Sequence, residues 1–336
     1  MKAIVLFGSN GKFDYCADWK MPAVPNGWAL VKTAFCGVCG SDVPRFAEKG
    51  SYHHPMVLGH EFSGTVEIPG DSGRFCEGDH VAVLPIMPCG VCEGCRRYGP
   101  FHCVHYQFIG SRNDGGFAEY CAVPESNLMR LPDCMDLRYG ALLEPLLVAL
   151  HAVRRSGFQP GQSAVVFGAG PIGLLIGQWL MFFRAGRVVQ ADIRPFSLDI
   201  AKRCGMETLD CSQKGLELPQ GVDHAFEASG AAASVRNAIT ALRERGTFTV
   251  VGRNTGDTVI PLDSFEKLMR KELDLKGCWG YDPDGEEQLV SQMMQERQHA
   301  FEPLITHVVP VERGVQAIRD IIERKIAYCK VLISFA

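Results

Sequence analysis

Long apolar runs and clusters of basic charge are what this sequence has least of. Its longest apolar stretch, Leu174 to Phe183, is interrupted by Gln178 and closed by Arg184. That falls short of the roughly 20 apolar residues a bilayer span needs, so no membrane span is expected. The opening MKAIVLFGSNGKF has a short apolar run that meets Gly8 without a cleavage-type segment, and no signal peptide is expected. Thirty-four Lys and Arg stand against 38 Asp and Glu, a formal charge of -4. With no basic cluster to neutralise phosphates, nucleic acid is not expected as a partner. Internal repeats and low-complexity linkers are missing as well. What remains, 46% hydrophobic and 21% charged over 336 residues, is enough for a large core and two domains.

Cysteine is abundant. Fourteen of them without a secretory signal point to a reducing compartment, here the cytoplasm, where close spacing means metal or redox chemistry rather than disulfides. Cys89, Cys92, Cys95 and Cys103 share the stretch PCGVCEGCRRYGPFHC. A redox pair needs two thiols at a helix start; C-x2-C-x2-C-x7-C instead suits one tetrahedral ion, with zinc the natural occupant. Gly90, Gly94 and Gly99 allow the backbone to wrap an ion, and Pro88 and Pro100 restrain the ends. His102 and His105 flank the last thiol as alternative donors, Cys103 being the better ligand. Four thiolates leave no open position, so this zinc is expected to be structural.

The segment SAVVFGAGPIGLLIGQWLMFF runs from an apolar strand through Gly168, Gly170, Pro171, Ile172 and Gly173 into a helical pattern. That is the context in which G-x-G-x-x-G binds a dinucleotide pyrophosphate. The next strand, RVVQAD, ends at Asp192, placed to hydrogen-bond the adenosine ribose and repel a 2'-phosphate. NAD is therefore the expected cofactor, with Arg194 pulling the other way. Further strands in DHAFEASG, GTFTVVGR and LDLKGCWG, separated by helical patterns such as AAASVRNAITALRER, predict an α/β, doubly wound parallel sheet. From Met1 to about Leu143 the texture is β-rich, with short strands in GHEFSGTVEIPG and GDHVAVLP. After Tyr281 a helical stretch leads to the strand KVLISFA, which could rejoin the first region. The expected domains are residues 1–145 with 281–336, and residues 146–280.

Two short motifs supply donors for a second metal. Cys39 and Ser41 lie in FCGVCGSD, and His60 and Glu61 are adjacent in VLGHEFSG. A mixed Cys, His and carboxylate shell leaves a position for water or substrate, as catalytic zinc requires. Glu144, the one charge in ALLEPLLVALHA, is the other carboxylate whose burial a metal would offset.

In order along the chain, CGVCGSD, LGHEFSG, the four-cysteine loop, DGGFAEY, the LEP triplet and GAGPIG resemble the zinc-dependent medium-chain dehydrogenases. The resemblance implies a GroES-like catalytic domain beside a Rossmann domain and a homodimer or homotetramer. It implies catalytic zinc on Cys39, His60 and either Glu61 or Glu144, with Ser41 beginning a proton relay. Within the family, CGSDVPRF, YQFIGSRNDGGFAEY and FEKLMRKELDLKGCWGY resemble the polyol dehydrogenases. The implied reaction oxidises a secondary hydroxyl of a sugar alcohol or its phosphate with NAD+, galactitol 1-phosphate to tagatose 6-phosphate being favoured. A sorbitol- or xylitol-type polyol, or threonine or another secondary alcohol, is the alternative. Gly280 stands where sorbitol-type enzymes carry an arginine, which weighs against an unphosphorylated substrate. Arg45 and Arg112, with Lys49 behind them, are the candidates for a phosphate.

Overall fold

The structure, a computed structural model, describes residues 1–213, 215–253, 256–282 and 285–335. They divide into two units, Met1–Glu144 with Glu287–Ala336 and Pro145–Glu286. The return to the first unit thus comes at Glu287 rather than at residue 281, and burial gives the reason. Tyr281 and Glu286 are each 2% exposed, and the Glu286 carboxylate lies 3.5 Å from His151 Nδ1 and 4.0 Å from Arg154 Nη1, within the second unit.

The first unit is organised around the strand Trp28–Gly37, rich in the β-branched and aromatic residues that fill a pleated surface. It pairs antiparallel with Glu61–Ile68, Tyr120–Pro124 and Lys330–Ser334. KVLISFA does rejoin this unit, Leu332 facing Gly37 and Ser334 facing Phe35. Glu61 faces Gly37 on the other side. Three distant segments therefore meet where the central strand ends, immediately before Cys39. Gly64 permits a close crossing: a Cβ there would lie 2.0 Å from the Lys32 carbonyl oxygen. Behind the sheet Ile4, Phe46, Phe62, Phe117, Val331 and Ile333 form part of one buried apolar cluster.

In the second unit six parallel strands run in the order Glu207–Asp210, Arg187–Asp192, Ser163–Phe167, Val222–Glu227, Leu242–Val250, Asp274–Gly277. Numbered along the chain this is 3-2-1-4-5-6, the doubly wound order whose ligands bind at the carboxyl ends of the strands. Strands such as SAVVF are apolar and buried almost throughout, with the helices Pro171–Phe182 and Ala232–Ala241 both packed on that strand. The helical pattern AAASVRNAITALRER is cut short: the helix is Ala232–Ala241, and Leu242 turns extended at φ -68°, ψ 143° to begin the next strand. Lys271 Nζ donates to the Leu242 carbonyl and fixes that change.

His224, on the fourth strand of this sheet, is 4% exposed and packs against the rings of Phe158 and Phe226. Burial outweighs the neighbouring Asp223 charge and pushes the imidazole pKa down to about 4. Between that value and the usual 6.5 or so the unfolded chain binds the extra proton, so stability falls as pH falls, by about 3 kcal/mol in all. Urea unfolding at pH 7 and pH 4.5 should show this loss, and His224→Gln should flatten it. An equally steep pH dependence in the variant would assign the loss to other groups.

Candidate catalytic and metal sites

At the end of the central strand Val38 N donates to the Val331 carbonyl (2.9 Å) and the chain turns through Cys39–Asp42. The turn is closed by Asp42 N donating to the Cys39 carbonyl (3.0 Å) and by Cys39 N donating to Asp42 Oδ2 (3.1 Å). Ser41 is exposed, and its hydroxyl donates to Cys39 Sγ at 3.3 Å. Gly59 delivers the next donor: its φ is +95°, and a Cβ would lie 2.6 Å from Cys36 Sγ. His60 follows, buried, with Nδ1 3.5 Å from Asp42 Oδ1 and its ring 5.6 Å from that of Phe108. Glu61 then starts a strand with its Oε2 accepting from Lys330 Nζ at 2.5 Å, while the same ammonium donates to the Val38 carbonyl at 3.4 Å.

The ligand atoms of Cys39, His60 and Glu61 lie within 4.8 Å of one another. Sulfur, imidazole and carboxylate are donors that suit zinc, and buried His60 Nδ1 has no hydrogen-bond partner among the described residues. Glu144 lies outside this trio. It begins the helix Leu143–Ser156, 9% exposed, and feels the charges of His60, Glu61 and Lys330. Burial, opposed by His60, pushes its pKa up to about 7. Burial works against a charge on Lys330, but Glu61 and Cys39 outweigh it and raise its pKa above the usual range.

In the second cluster the thiols of Cys89, Cys92, Cys95 and Cys103 also lie within 4.8 Å of one another, and none is in a disulfide. Sulfurs 2.3 Å or so from a central zinc would be about 3.8 Å apart. The observed Cys92–Cys95 and Cys89–Cys95 separations are 3.5 and 3.9 Å. Backbone N–H groups point at the sulfurs: Cys95 N to Cys92 Sγ (3.4 Å), and Cys89 N and His105 N to Cys103 Sγ (3.3 and 3.4 Å). His105 thus contributes its amide, while the His102 ring packs beside Tyr98 at 5.9 Å. A Cβ on Gly94 would sit 1.9 Å from the His102 carbonyl oxygen, so the loop closes only with glycine there.

In the second unit Gly168 has φ +105°, and Gly173 lets the helix Pro171–Phe182 pack onto it, since a Cβ would lie 1.8 Å from the Gly168 carbonyl oxygen. A Cβ on Gly170 would meet nothing within 4 Å, which leaves room before the helix start and Pro171 and Ile172. Asp192 Oδ2 accepts from Ala169 N at 2.7 Å, tying the second strand to the turn. Its Oδ1 accepts from Arg194 N (2.9 Å) and Nε (3.3 Å). Gln190, fully buried, donates to the Gly168 carbonyl at 2.6 Å.

Arg45, in the helical turn Arg45–Lys49 just past Cys39, and Arg112 converge on one ring. Their Cζ atoms lie 5.2 and 4.6 Å from the centroid of Tyr52, and Arg112 Cζ is 4.1 Å from that of Tyr106. Neither makes an ion pair with a carboxylate among the described residues. Tyr106 continues through Phe108 (6.5 Å) to His60. Lys49 is exposed.

Sequence reasoning missed Tyr52, Tyr106 and Lys330. The last left a signal, a charge at the head of the apolar strand KVLIS, and Tyr106 opens the motif YQFIGSRNDGGFAEY; Tyr52 left none.

A doubly wound sheet bearing a glycine turn and a strand-end acid, with a mixed Cys/His/Glu cluster in a β-rich unit, is the equipment of a metal-assisted, nicotinamide-dependent dehydrogenase. Residues 25–133 match the alcohol dehydrogenase GroES-like domain and residues 171–296 the zinc-binding dehydrogenase family. The chain belongs to the zinc-dependent alcohol dehydrogenases of the medium-chain type, within the polyol dehydrogenases, a family for which zinc and NAD are the typical cofactors. Galactitol 1-phosphate 5-dehydrogenase of Escherichia coli strain K12 is 36% identical over 304 residues, 87% of this chain and 88% of that one. D-xylulose reductase A of Aspergillus niger is 36% identical over 324 residues, 90% and 89% of the two. The crystal structure of galactitol-1-phosphate dehydrogenase from Escherichia coli matches with a TM-score of 0.92 at 32% identity, covering 99% of this chain and 100% of that one. No helix among the described residues is long and apolar enough to cross a membrane.

Proposed function

We propose that the protein oxidises a secondary hydroxyl of a sugar alcohol phosphate to the ketose phosphate, with galactitol 1-phosphate and tagatose 6-phosphate as the pair. One observation carries the phosphate: Arg45 and Arg112 face the same Tyr52 ring without a carboxylate partner. Two guanidinium groups so placed favour a dianion. Similarity to galactitol 1-phosphate 5-dehydrogenase supports the same reading. An unphosphorylated polyol is the second reading, supported by the equal 36% identity to D-xylulose reductase A.

Cys39, His60 and Glu61 are proposed to hold the catalytic zinc, with Glu144 as a further carboxylate nearby. Zinc bound there would polarise the substrate hydroxyl as a Lewis acid and lower its pKa. Lys330, bonded to Glu61, fixes that carboxylate's direction. Ser41, exposed and with its hydroxyl donating to Cys39 Sγ, is proposed to take the substrate hydroxyl's proton and release it to solvent. The four-cysteine loop is proposed to hold a second, structural zinc.

If an arginine clamps the phosphate, Arg45→Ala or Arg112→Ala should lower the ratio of kcat/KM for galactitol 1-phosphate over galactitol by roughly ten- to a hundredfold. A parallel loss on both substrates would make the arginines structural.

The glycine turn from Gly168 to Gly173 is proposed to receive the cofactor pyrophosphate, and Asp192 the adenosine ribose. Asp192→Ala should reduce the preference for NAD+ over NADP+ by roughly tenfold or more, Arg194 then being released to pair with a 2'-phosphate. Unchanged cofactor preference, measured as the ratio of kcat/KM values, would remove Asp192 from that role.

A homodimer or homotetramer in a reducing cytoplasm completes the proposal. Val259, Leu262, Phe265, Met269 and Leu275 are all exposed around the helix Leu262–Arg270 and the edge strand Asp274–Gly277, the kind of apolar edge that a second copy covers. A single-chain mass by light scattering would contradict it.

A further inference from the structure

Tyr52 stands on the loop that follows the Arg45–Lys49 turn, 61% exposed and without a hydrogen bond of its own among the described residues. An aromatic ring left this open is not there for the core. What it does touch are two cations: Arg45 Cζ at 5.2 Å and Arg112 Cζ at 4.6 Å, while Arg112 also lies 4.1 Å from the Tyr106 centroid. The two guanidinium carbons are therefore less than about 10 Å apart. Without an anion between them such charges repel, and Arg112 Nε is in addition buried with no acceptor. The arrangement is an electrostatic cost that an added anion would relieve.

Rings also decide which way the charge can be used. A guanidinium stacked on an aromatic face keeps its in-plane N–H fork available at the edge, the geometry that two phosphate oxygens require. Two rings around one guanidinium hold it far more firmly than one. We infer that Tyr52 and Tyr106 form an aromatic clamp that presents Arg112, with Arg45 beside it, to the phosphate group of the substrate. Tyr52 is then a positioning residue that sets specificity, acting through its ring and not through its hydroxyl. The inference rests on the proposed phosphorylated substrate, and ring contacts link Tyr106 through Phe108 to His60, one of the candidate metal ligands.

The test compares wild type, Tyr52→Phe and Tyr52→Ala in kcat/KM for galactitol 1-phosphate and galactitol, and in competitive inhibition of galactitol oxidation by inorganic phosphate. Tyr52→Ala should lower the phosphate preference roughly three- to thirtyfold and weaken phosphate inhibition by a similar factor. Tyr52→Phe should retain both, and Tyr106→Ala should act in the same direction as Tyr52→Ala. An unchanged ratio and unchanged inhibition in Tyr52→Ala overturn the clamp, as does an equal loss in Tyr52→Phe. If wild type has no preference for the phosphorylated polyol, yet inorganic phosphate competes and Tyr52→Ala relieves it, the substrate reading fails and the clamp stands as an anion site. If inorganic phosphate does not compete with galactitol in wild type either, both readings fall.

Discussion

Cys39→Ser should abolish NAD+ reduction while the chain stays folded and zinc falls from about two equivalents to about one. Lewis-acid stabilisation by a metal is worth several kcal/mol of activation free energy. About 4 kcal/mol corresponds to three orders of magnitude in rate, so the loss should be at least that large. The fold should survive because backbone bonds shape this turn: Val38 N to the Val331 carbonyl, Asp42 N to the Cys39 carbonyl, and Cys39 N to the Asp42 side chain. None of these uses the thiol. Metal analysis, circular dichroism and initial rates on one preparation suffice. Full turnover in the variant, or a wild type with a single zinc, would contradict the two-site assignment.

The second large effect separates stability from chemistry. Cys95→Ser should lose zinc from the other cluster and lower the melting temperature by roughly 10 °C or render the chain insoluble, because a structural metal contributes folding free energy. Cys95 lies 3.5 and 3.9 Å from two of the other thiols, and its amide donates to Cys92 Sγ. Removing it opens the shell on two sides. Turnover per folded, catalytic-zinc-loaded molecule should remain. If the melting temperature held while one zinc was lost, the loop would be a metal store and not a structural element.

What could be read from the sequence was what is local in the chain. The cysteine loop and the glycine turn compress their whole geometry into short stretches, so spacing alone points to an ion and to a dinucleotide. Cys39, His60 and Glu61 were candidates on residue type, but their meeting depends on strand register: Gly37 faces Glu61 on one side and Leu332 on the other. No local pattern encodes that pairing. Lys330 is 269 residues from its partner Glu61, which is why its role was not visible beforehand. The same register brings Glu61 within 4.8 Å of the Cys39 and His60 ligand atoms, a grouping that does not include Glu144. Arg45 and Arg112 could be proposed from the motifs around them, whereas the rings they meet, Tyr52 for both and Tyr106 for Arg112, are brought to them by the fold. The end of the Ala232–Ala241 helix is not local either: LRER carries helix-compatible residues, and the switch at Leu242 comes with its pairing to Val222 on the neighbouring strand and the Lys271 bond to its carbonyl.

The activity proposed for the protein is a zinc-dependent, NAD-linked oxidation of a polyol phosphate. Its most direct test is the initial rate of NADH formation by zinc-replete protein across galactitol 1-phosphate, galactitol, sorbitol and xylitol at matched subsaturating concentrations. Galactitol 1-phosphate should give the highest kcat/KM, roughly ten- to a hundredfold above the dephosphorylated polyols, and activity should vanish on chelation and return with zinc. Equal or better kcat/KM with sorbitol, xylitol or galactitol would contradict the phosphate and return the protein to the unphosphorylated polyol dehydrogenases.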